Sequence, residues 1–313
     1  MPEWLIERGI GEDRAVLIEQ GRIVEARIFR EGLVRAGTVL AARLKSTGRN
    51  AIARAGETEY LLPGGASGVT EGAALSIEVT REPLGGIEPW KRPLARVSSE
   101  DPRKALDLPG KSVAFPAPDD PFEAAGWSDL LDEARSGIVT FPGGALRIAL
   151  TRAMTLIDVD GQLEPDALCL AGASAAALAI RRHGIGGSIG IDLPTVRSKD
   201  VRLAAAAAVD AALPPPLERT AVNGFGFLQI IRPRRHASTF ELAADRASFE
   251  ARALLRRASR AVGTITLVAH PAVIAQFERN PGWTDRLSGQ VGGAVSLRAD
   301  AALGMEAGDA ARA

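Results

Sequence analysis

Two aspartates, Asp158 in LIDVDG and Asp192 in GSIGIDLP, each close an apolar run of strand-like composition. Between them, residues 171–182 are helix-like and long enough for a right-handed crossover between parallel strands. Neighbouring strands lie about 4.8 Å apart, and parallel neighbours open their carboxyl ends onto one crevice. The spacing therefore predicts two carboxylates able to reach one cation. A divalent ion offsets their repulsion and binds a phosphate oxygen together with water. Magnesium suits the pair, because it takes oxygen ligands and keeps several waters. Asp160, two residues on, adds a third carboxylate that can support the site's geometry. Aspartate after a strand also serves as a turn former or helix cap, so the chemistry depends on the elements that place these side chains.

Those elements are readable in the middle of the chain. Residues 146–150 and 155–159 pattern as neighbouring strands joined by a tight turn, 188–193 as a third strand and 226–231 as another. Helices are predicted at 171–182 and 198–213, the second stopped by Pro214-Pro215-Pro216. Alternation of strand and helix implies an α/β core with parallel strands over 136–240. Upstream, short strand-like runs at 14–19, 22–29, 37–44, 51–55, 59–62 and 74–80 are punctuated by glycine turns, which predicts a small antiparallel barrel within 1–82. The proline-rich stretch 83–135 reads as a connector with a short helix carrying Trp127 and Leu131. Helices and strands alternate again over 241–303 as a small C-terminal α+β subdomain, and 304–313 reads as a flexible tail.

Composition narrows the function classes. Lysine plus arginine equals aspartate plus glutamate at 38 each, so overall charge neither attracts nor repels nucleic acid. The lone Cys169 cannot close an intramolecular disulfide, which fits a reducing compartment. The acidic opening MPEWLIERGIGEDRAV lacks a secretion signal's pattern, and the apolar runs are too short to cross a bilayer. A cytoplasmic, soluble protein without a membrane partner is expected. Gly143-Gly144 and Gly186-Gly187 precede strands, whereas a nucleotide fingerprint follows a strand and opens a helix, so no NAD or ATP site is expected.

Basic side chains supply candidate phosphate contacts. Arg232, Arg234 and Arg235 follow the strand-like run in NGFGFLQIIRPRR, and Arg197 and Lys199 follow Asp192. Such cations could lead a nucleic-acid backbone toward the carboxylates. Lys45, Arg49 and Arg54 could line one face of the barrel, with Tyr60 either stacking on a base or plugging the interior. His183, beside Arg181 and Arg182, reads as a phosphate contact or a solvated helix end.

FPGGALRIALTRAMTLIDVDG, ALAIRRHGIGGSIGID and NGFGFLQIIRPRR together resemble the catalytic domain of the bacterial ribonuclease E/G family. VTREPLGGIEPWKRPLARV resembles that family's exit from its N-terminal barrel, and AHPAVIAQF and VSLRAD resemble its small C-terminal subdomain. The resemblance implies an N-terminal OB-type β-barrel that binds RNA, a ribonuclease E/G-like α/β nuclease core and the small α+β subdomain. It implies magnesium held by Asp158 and Asp192, with Asp160 standing where the family has an asparagine that orients the metal-site aspartate. The family's zinc-linking cysteine pair is absent, and the connector is too short for its full 5′-monophosphate sensor. Thr195 replaces a usual acidic residue, and the segment after Asp160 is shortened and less basic.

The resulting expectation is a magnesium-dependent endoribonuclease that hydrolyses single-stranded RNA to 5′-phosphate and 3′-hydroxyl ends. The alternative is a noncatalytic RNA-binding protein on the same fold. The family often forms dimers, so a homodimer is the implied assembly.

Overall fold

The computed structural model of the chain describes residues 3–85, 88 and 90–312. Gly86, Ile87 and Pro89 of the proline-rich stretch, and Ala313 of the expected tail, lie outside the described residues. The chain opens with β1 (Trp4–Arg8), β2 (Glu12–Glu19) and β3 (Arg22–Arg30), followed by β4 (Val39–Ser46), β5 (Ala51–Ala55), β6 (Thr58–Leu62), β7 (Ala74–Arg81) and β8 (Leu94–Ser98). β9 (Gly110–Val113), α1 (Pro121–Ala124) and α2 (Trp127–Ser136) lead to β10 (Ile138–Phe141), β11 (Gly144–Leu150) and β12 (Thr155–Gly161). Then come α3 (Pro165–Arg182), β13 (Gly187–Asp192), α4 (Lys199–Ala212), β14 (Glu218–Arg219) and β15 (Phe227–Arg232). The last stretch contains α5 (Thr239–Ala244), α6 (Arg246–Ala258), β16 (Ile265–Ala269), α7 (Pro271–Arg279), α8 (Pro281–Val291), β17 (Val295–Ala299) and β18 (Asp309–Arg312).

The chain divides into two compact units. One comprises Gly32–Leu108 and Leu130–Glu241 and contains a barrel and a sheet. Strands β4, β5, β6, β8 and β7 close the barrel in that order. Its strands alternate: Ala42, Leu44, Ala53, Tyr60, Leu62, Ile77 and Val79 point inward, whereas Arg43, Lys45 and Arg54 are exposed. Closure pairs the strand edges that an open sheet would leave reactive.

The six-stranded sheet runs β10-β11-β12-β13-β15-β14. It is mixed: β12 and β13 form the parallel pair expected across the crossover, and the sheet's other pairings among the described residues are antiparallel. Tight turns join β10 to β11 and β11 to β12 and force those pairs antiparallel, the α3 crossover returns the chain parallel to β12, and the longer α4-containing connection brings β15 back antiparallel to β13. α3 lies close against the sheet because its packed face is built from Gly172, Ala173, Ala176 and Ala177. A Cβ at Gly172 would sit 2.4 Å from Val159 Cγ1. Alanine-rich α4 packs against α3; it begins where the Ser198 hydroxyl accepts from the Val201 amide at 3.3 Å.

The other unit comprises Met1–Glu31, Pro109–Asp129 and Leu242–Ala313. β1, β2 and β3 belong here, in a sheet ordered β3-β2-β1-β9, and not in the barrel where alternation alone put them. The expected connector is likewise structured: β8 closes the barrel and β9 pairs in parallel with β1. The expected flexible tail contributes β18, which pairs antiparallel with β16. Local pattern detects a strand but not its long-range partner, which explains all three differences.

This unit carries a buried ionic cluster. Glu7, 1% exposed, accepts from Arg14 Nη1 at 2.8 Å and from Arg256 Nη2 at 2.9 Å. Arg256 also reaches Asp120 at 2.9 Å and Glu123 at 2.6 Å, tying α6 to β1 and to the start of α1. Removing one partner of such a group strands a buried charge. Arg256→Met is expected to cost about 3 to 5 kcal/mol. Arg260→Met, which removes a half-exposed partner of Asp120, is expected to cost under about 1 kcal/mol. Urea unfolding of the two variants measures the contrast.

Candidate functional site: a carboxylate pair on an open sheet face

The β12 sequence alternates between two environments. Ile157 and Val159 are buried on the side that α3 covers, whereas Leu156, Asp158 and Asp160 are exposed on the other. In β13, Ile189 and Ile191 are fully buried and Asp192 is exposed. The parallel register aligns Asp158 with Asp192. Equivalent residues of parallel neighbours project from the same face, so the two carboxylates stand side by side across about 4.8 Å of strand spacing. The Phe227 ring covers the flanking Gly190 position on this face. Leu156 aligns with Gly190, where a Cβ would lie 2.5 Å from the Phe227 ring.

Asp160 shares the face and is already engaged. Arg147, aligned with Asp158 from β11, donates from Nε to Asp160 Oδ2 at 2.8 Å. Partial burial, followed by the charges of Asp160 and Asp192, pushes the Asp158 carboxyl above the usual aspartate range; Arg147 and the Val159 amide only partly oppose this. Burial is the larger of these causes, and the like charges add to it. Two oxygen-donor side chains on an open face fit an ion that fills most of its coordination with water, as magnesium does. Among the described residues, no group of three or more histidine, cysteine, aspartate or glutamate side chains is gathered as a fuller metal site. Zinc-type or calcium-type cages are thus not the pattern presented here.

The expected phosphate contacts are less convergent than their sequence order suggested. Lys45 and Arg54 meet on the barrel surface, where both pair with Glu59, as does Arg92. Hydrogen bonds from Lys45 and then Arg54 hold the Glu59 carboxyl down at about 2. Three cations around one carboxylate leave this patch net positive, and Arg49 is exposed in the following turn. Tyr60 is 1% exposed inside the barrel, which corrects its candidacy as a stacking platform: it fills the core.

Arg232, Arg234 and Arg235 do not act as one clamp. Arg234 is paired with Glu88 and Glu241, which commits its charge internally and corrects its assignment to RNA; Arg232 donates to the Ile185 carbonyl at 3.3 Å. Arg235 and Lys199 are exposed. Arg181 is half-buried, and Arg182 Nη1 reaches Glu133 at 3.2 Å. His183 is corrected as well. It is 1% exposed, with Nε2 2.9 Å from Glu133 and Nδ1 2.6 Å from the Thr239 hydroxyl, and burial lowers its pKa. It is a packed structural group. A polar pocket near Thr155, Ser188 and Arg234 lies at the opposite ends of β12 and β13 and does not include the aspartate pair.

One feature beside the pair escaped sequence reasoning. Phe225 is 82% exposed in the turn before β15. The Asn223 side chain accepts from the Phe225 and Phe227 amides at 2.9 and 3.0 Å, and the Thr195 hydroxyl donates to the Phe225 carbonyl at 3.0 Å. Phe227 is itself the register partner of Asp192. The signal was present as Asn-Gly-Phe-Gly, a turn sequence interrupted by one aromatic residue.

No protein-family model matches the chain, and no curated protein matches it. Among the described residues, no helix is long and apolar enough to cross a membrane.

The crowding of Asp158 has a measurable consequence. Because its folded-state pKa is raised, the folded chain holds that proton longer than the unfolded chain. The associated stability is present at low pH and falls as pH climbs from the ordinary aspartate range, about 3.9, through the raised value. Asp158→Asn removes this slope. In chelator, the variant's Tm relative to the parent is expected to be about 1 to 3 °C higher near pH 7 than near pH 4. A flat or reversed difference would show that the Asp158 carboxyl is not raised in the folded chain.

Proposed function

We propose that this chain is a magnesium-dependent endoribonuclease acting on single-stranded RNA. The observation that carries the reading is the in-register pair Asp158 and Asp192 on an exposed sheet face. Asp158 and Asp192 would hold the ion between them. When bound, magnesium supplies charge neutralisation and water activation at a phosphodiester. In this reading, water adds to phosphorus while the bond to the 3′ oxygen breaks; that oxygen leaves as a hydroxyl, and the other product keeps the 5′-phosphate. This polarity comes from the resemblance to the ribonuclease E/G family. The same resemblance identifies the five-stranded barrel as an OB-type RNA-binding module and the mixed sheet as a ribonuclease E/G-like core. It also implies a homodimer, and the lone Cys169 fits a cytoplasmic setting.

The chain's own residues divide the labour. An extended strand could lie along the exposed Asp158 and Asp160 side of β12, because α3 packs on the other side of that strand. Lys45, Arg54 and Arg92 offer a positive surface on the barrel, and exposed Arg235, Lys199 and Arg197 add further phosphate contacts. Asp160 fixes Arg147 beside Asp158, where the guanidinium stands within the reach of an approaching phosphate.

That last contact also favours a second reading. Arg147 is a resident cation next to the pair, and a protein that kept the fold for RNA binding alone could use it in place of a metal ion. Cleavage of a single-stranded RNA by the purified full chain separates the two. With magnesium, the parent is expected to cut and leave 5′-phosphates, and Asp158→Asn with Asp192→Asn is expected to lower the rate by at least about a hundredfold. Magnesium is also expected to raise the Tm of the parent and leave that of the double variant unchanged. RNA binding without carboxylate-dependent cutting, and without a magnesium-dependent Tm, would establish the binding reading instead.

A further inference from the structure

Exposed apolar side chains are ordinary on protein surfaces, and a single aromatic ring in solvent is not by itself a site. Phe225 differs in how firmly it is held and in what it stands beside. Its turn is tethered on both sides. Asn223 Oδ1 takes the amides of Phe225 and Phe227, and the Asn223 amide donates to the Phe227 carbonyl at 3.0 Å. From the facing segment, the Thr195 hydroxyl binds the Phe225 carbonyl, and the Leu193 amide donates to the Gly226 carbonyl at 3.1 Å. Gly226 has φ +91°, and a Cβ there would lie 2.1 Å from the Leu193 carbonyl oxygen, so the two segments touch backbone to backbone. Arg202 continues the bracing by donating to the Val196 and Arg197 carbonyls at 2.8 and 3.0 Å.

These tethers fix the backbone that carries a solvent-facing ring immediately beyond Asp192. Phe227 aligns with Asp192 across the β13–β15 ladder, and Phe225 is two residues further along. Two consecutive Cα–Cα steps span at most about 7.6 Å. The facing segment also presents exposed Arg197 and Lys199. An aromatic face on a braced turn beside cations is the combination that single-stranded nucleic acids engage, with bases stacking while phosphates meet the charges. A folded duplex has no free base faces to offer, so the arrangement selects unpaired nucleotides.

Resting on the proposed RNA-directed function, we infer that Phe225 is a base-stacking platform that docks one nucleobase of single-stranded RNA next to the Asp158 and Asp192 pair. It replaces Tyr60 as the chain's stacking residue and ties strand selection to the site of chemistry. Because the bracing uses the backbone and the side chains of Asn223, Thr195 and Arg202, the ring can be removed without removing the turn.

The test uses the full chain in chelator, which suppresses metal-dependent cutting, and a single-stranded RNA oligonucleotide containing 2-aminopurine. Binding is followed by anisotropy, and stacking by quenching of 2-aminopurine fluorescence. Phe225→Ala is expected to weaken binding about 5- to 100-fold and abolish the quench, with Tm within about 1 °C of the parent. Phe225→Trp is expected to retain both signals, and Phe225→Leu, apolar but without a π face, to fall with alanine. Parent-like affinity and quench in Phe225→Ala, or in Phe225→Leu, would overturn the assignment. So would loss of a parental dimer in Phe225→Ala with RNA affinity unchanged, which would make the ring a contact between copies. If the parent fails to bind RNA even at low salt, the functional reading falls and this one with it. Parent binding and cutting with an indifferent Phe225→Ala would defeat the platform alone.

Discussion

The parallel pairing of β12 with β13 is the constraint on which the candidate site depends. A one-residue slip in that register would turn one aspartate to the opposite face, because side chains alternate along a strand. The register is held by burial. Ile157, Val159, Ile189 and Ile191 are all buried, and α3 brings a surface of glycine and alanine close against β12. Two like charges side by side oppose folding, so the apolar packing beneath them must outweigh that repulsion. At roughly 1.5 to 3 kcal/mol for each fully buried large aliphatic side chain, it has ample margin.

Elsewhere, the chain matches its charges internally. Arg256 is enclosed by Glu7, Asp120 and Glu123, and Arg234 by Glu88 and Glu241. Such pairs are costly to desolvate and leave little charge for a ligand. The balanced total of acids and bases therefore conceals an uneven distribution: internally paired clusters within the units, a positive patch around Glu59, and a negative strip at Asp158 and Asp192. The zero net charge of the whole chain says nothing about these surfaces, and the geometry of individual pairs does.

Sequence reasoning reached the local features and missed the distant ones. The apolar runs ending at Asp158 and Asp192, and a crossover helix of the right length, were enough to place the pair, because strand, helix and strand are contiguous there. The membership of β1 to β3 was not legible, since their partner β9 lies about 80 residues downstream of β3 and pairs through a short, polar strand that carries almost no pattern. β18 was lost for the same reason: an Asp-Ala-Ala-Arg strand has no β signature and is ordered by pairing with β16. Arg234 and Tyr60 show the limit for single side chains. Both residue types suit RNA, but Glu88 lies 146 residues from Arg234 in the chain, and whether a barrel tyrosine points in or out depends on its register.

The competition between the two functional readings turns on a local electrostatic balance. Arg147 could serve as a permanent substitute for a metal ion only if its charge satisfied the carboxylates around it. Its hydrogen bond goes to Asp160, and its guanidinium is more than half exposed, where water weakens its field. Asp158 feels Arg147, yet its carboxyl remains raised above the ordinary range, with Asp160 and Asp192 still acting on it. The resident guanidinium is thus bonded to Asp160 and to neither of the aligned aspartates. A divalent cation between Asp158 and Asp192 would meet two carboxylate groups that Arg147 does not bridge, which weighs toward the metal-dependent reading over the one in which arginine has taken the ion's place.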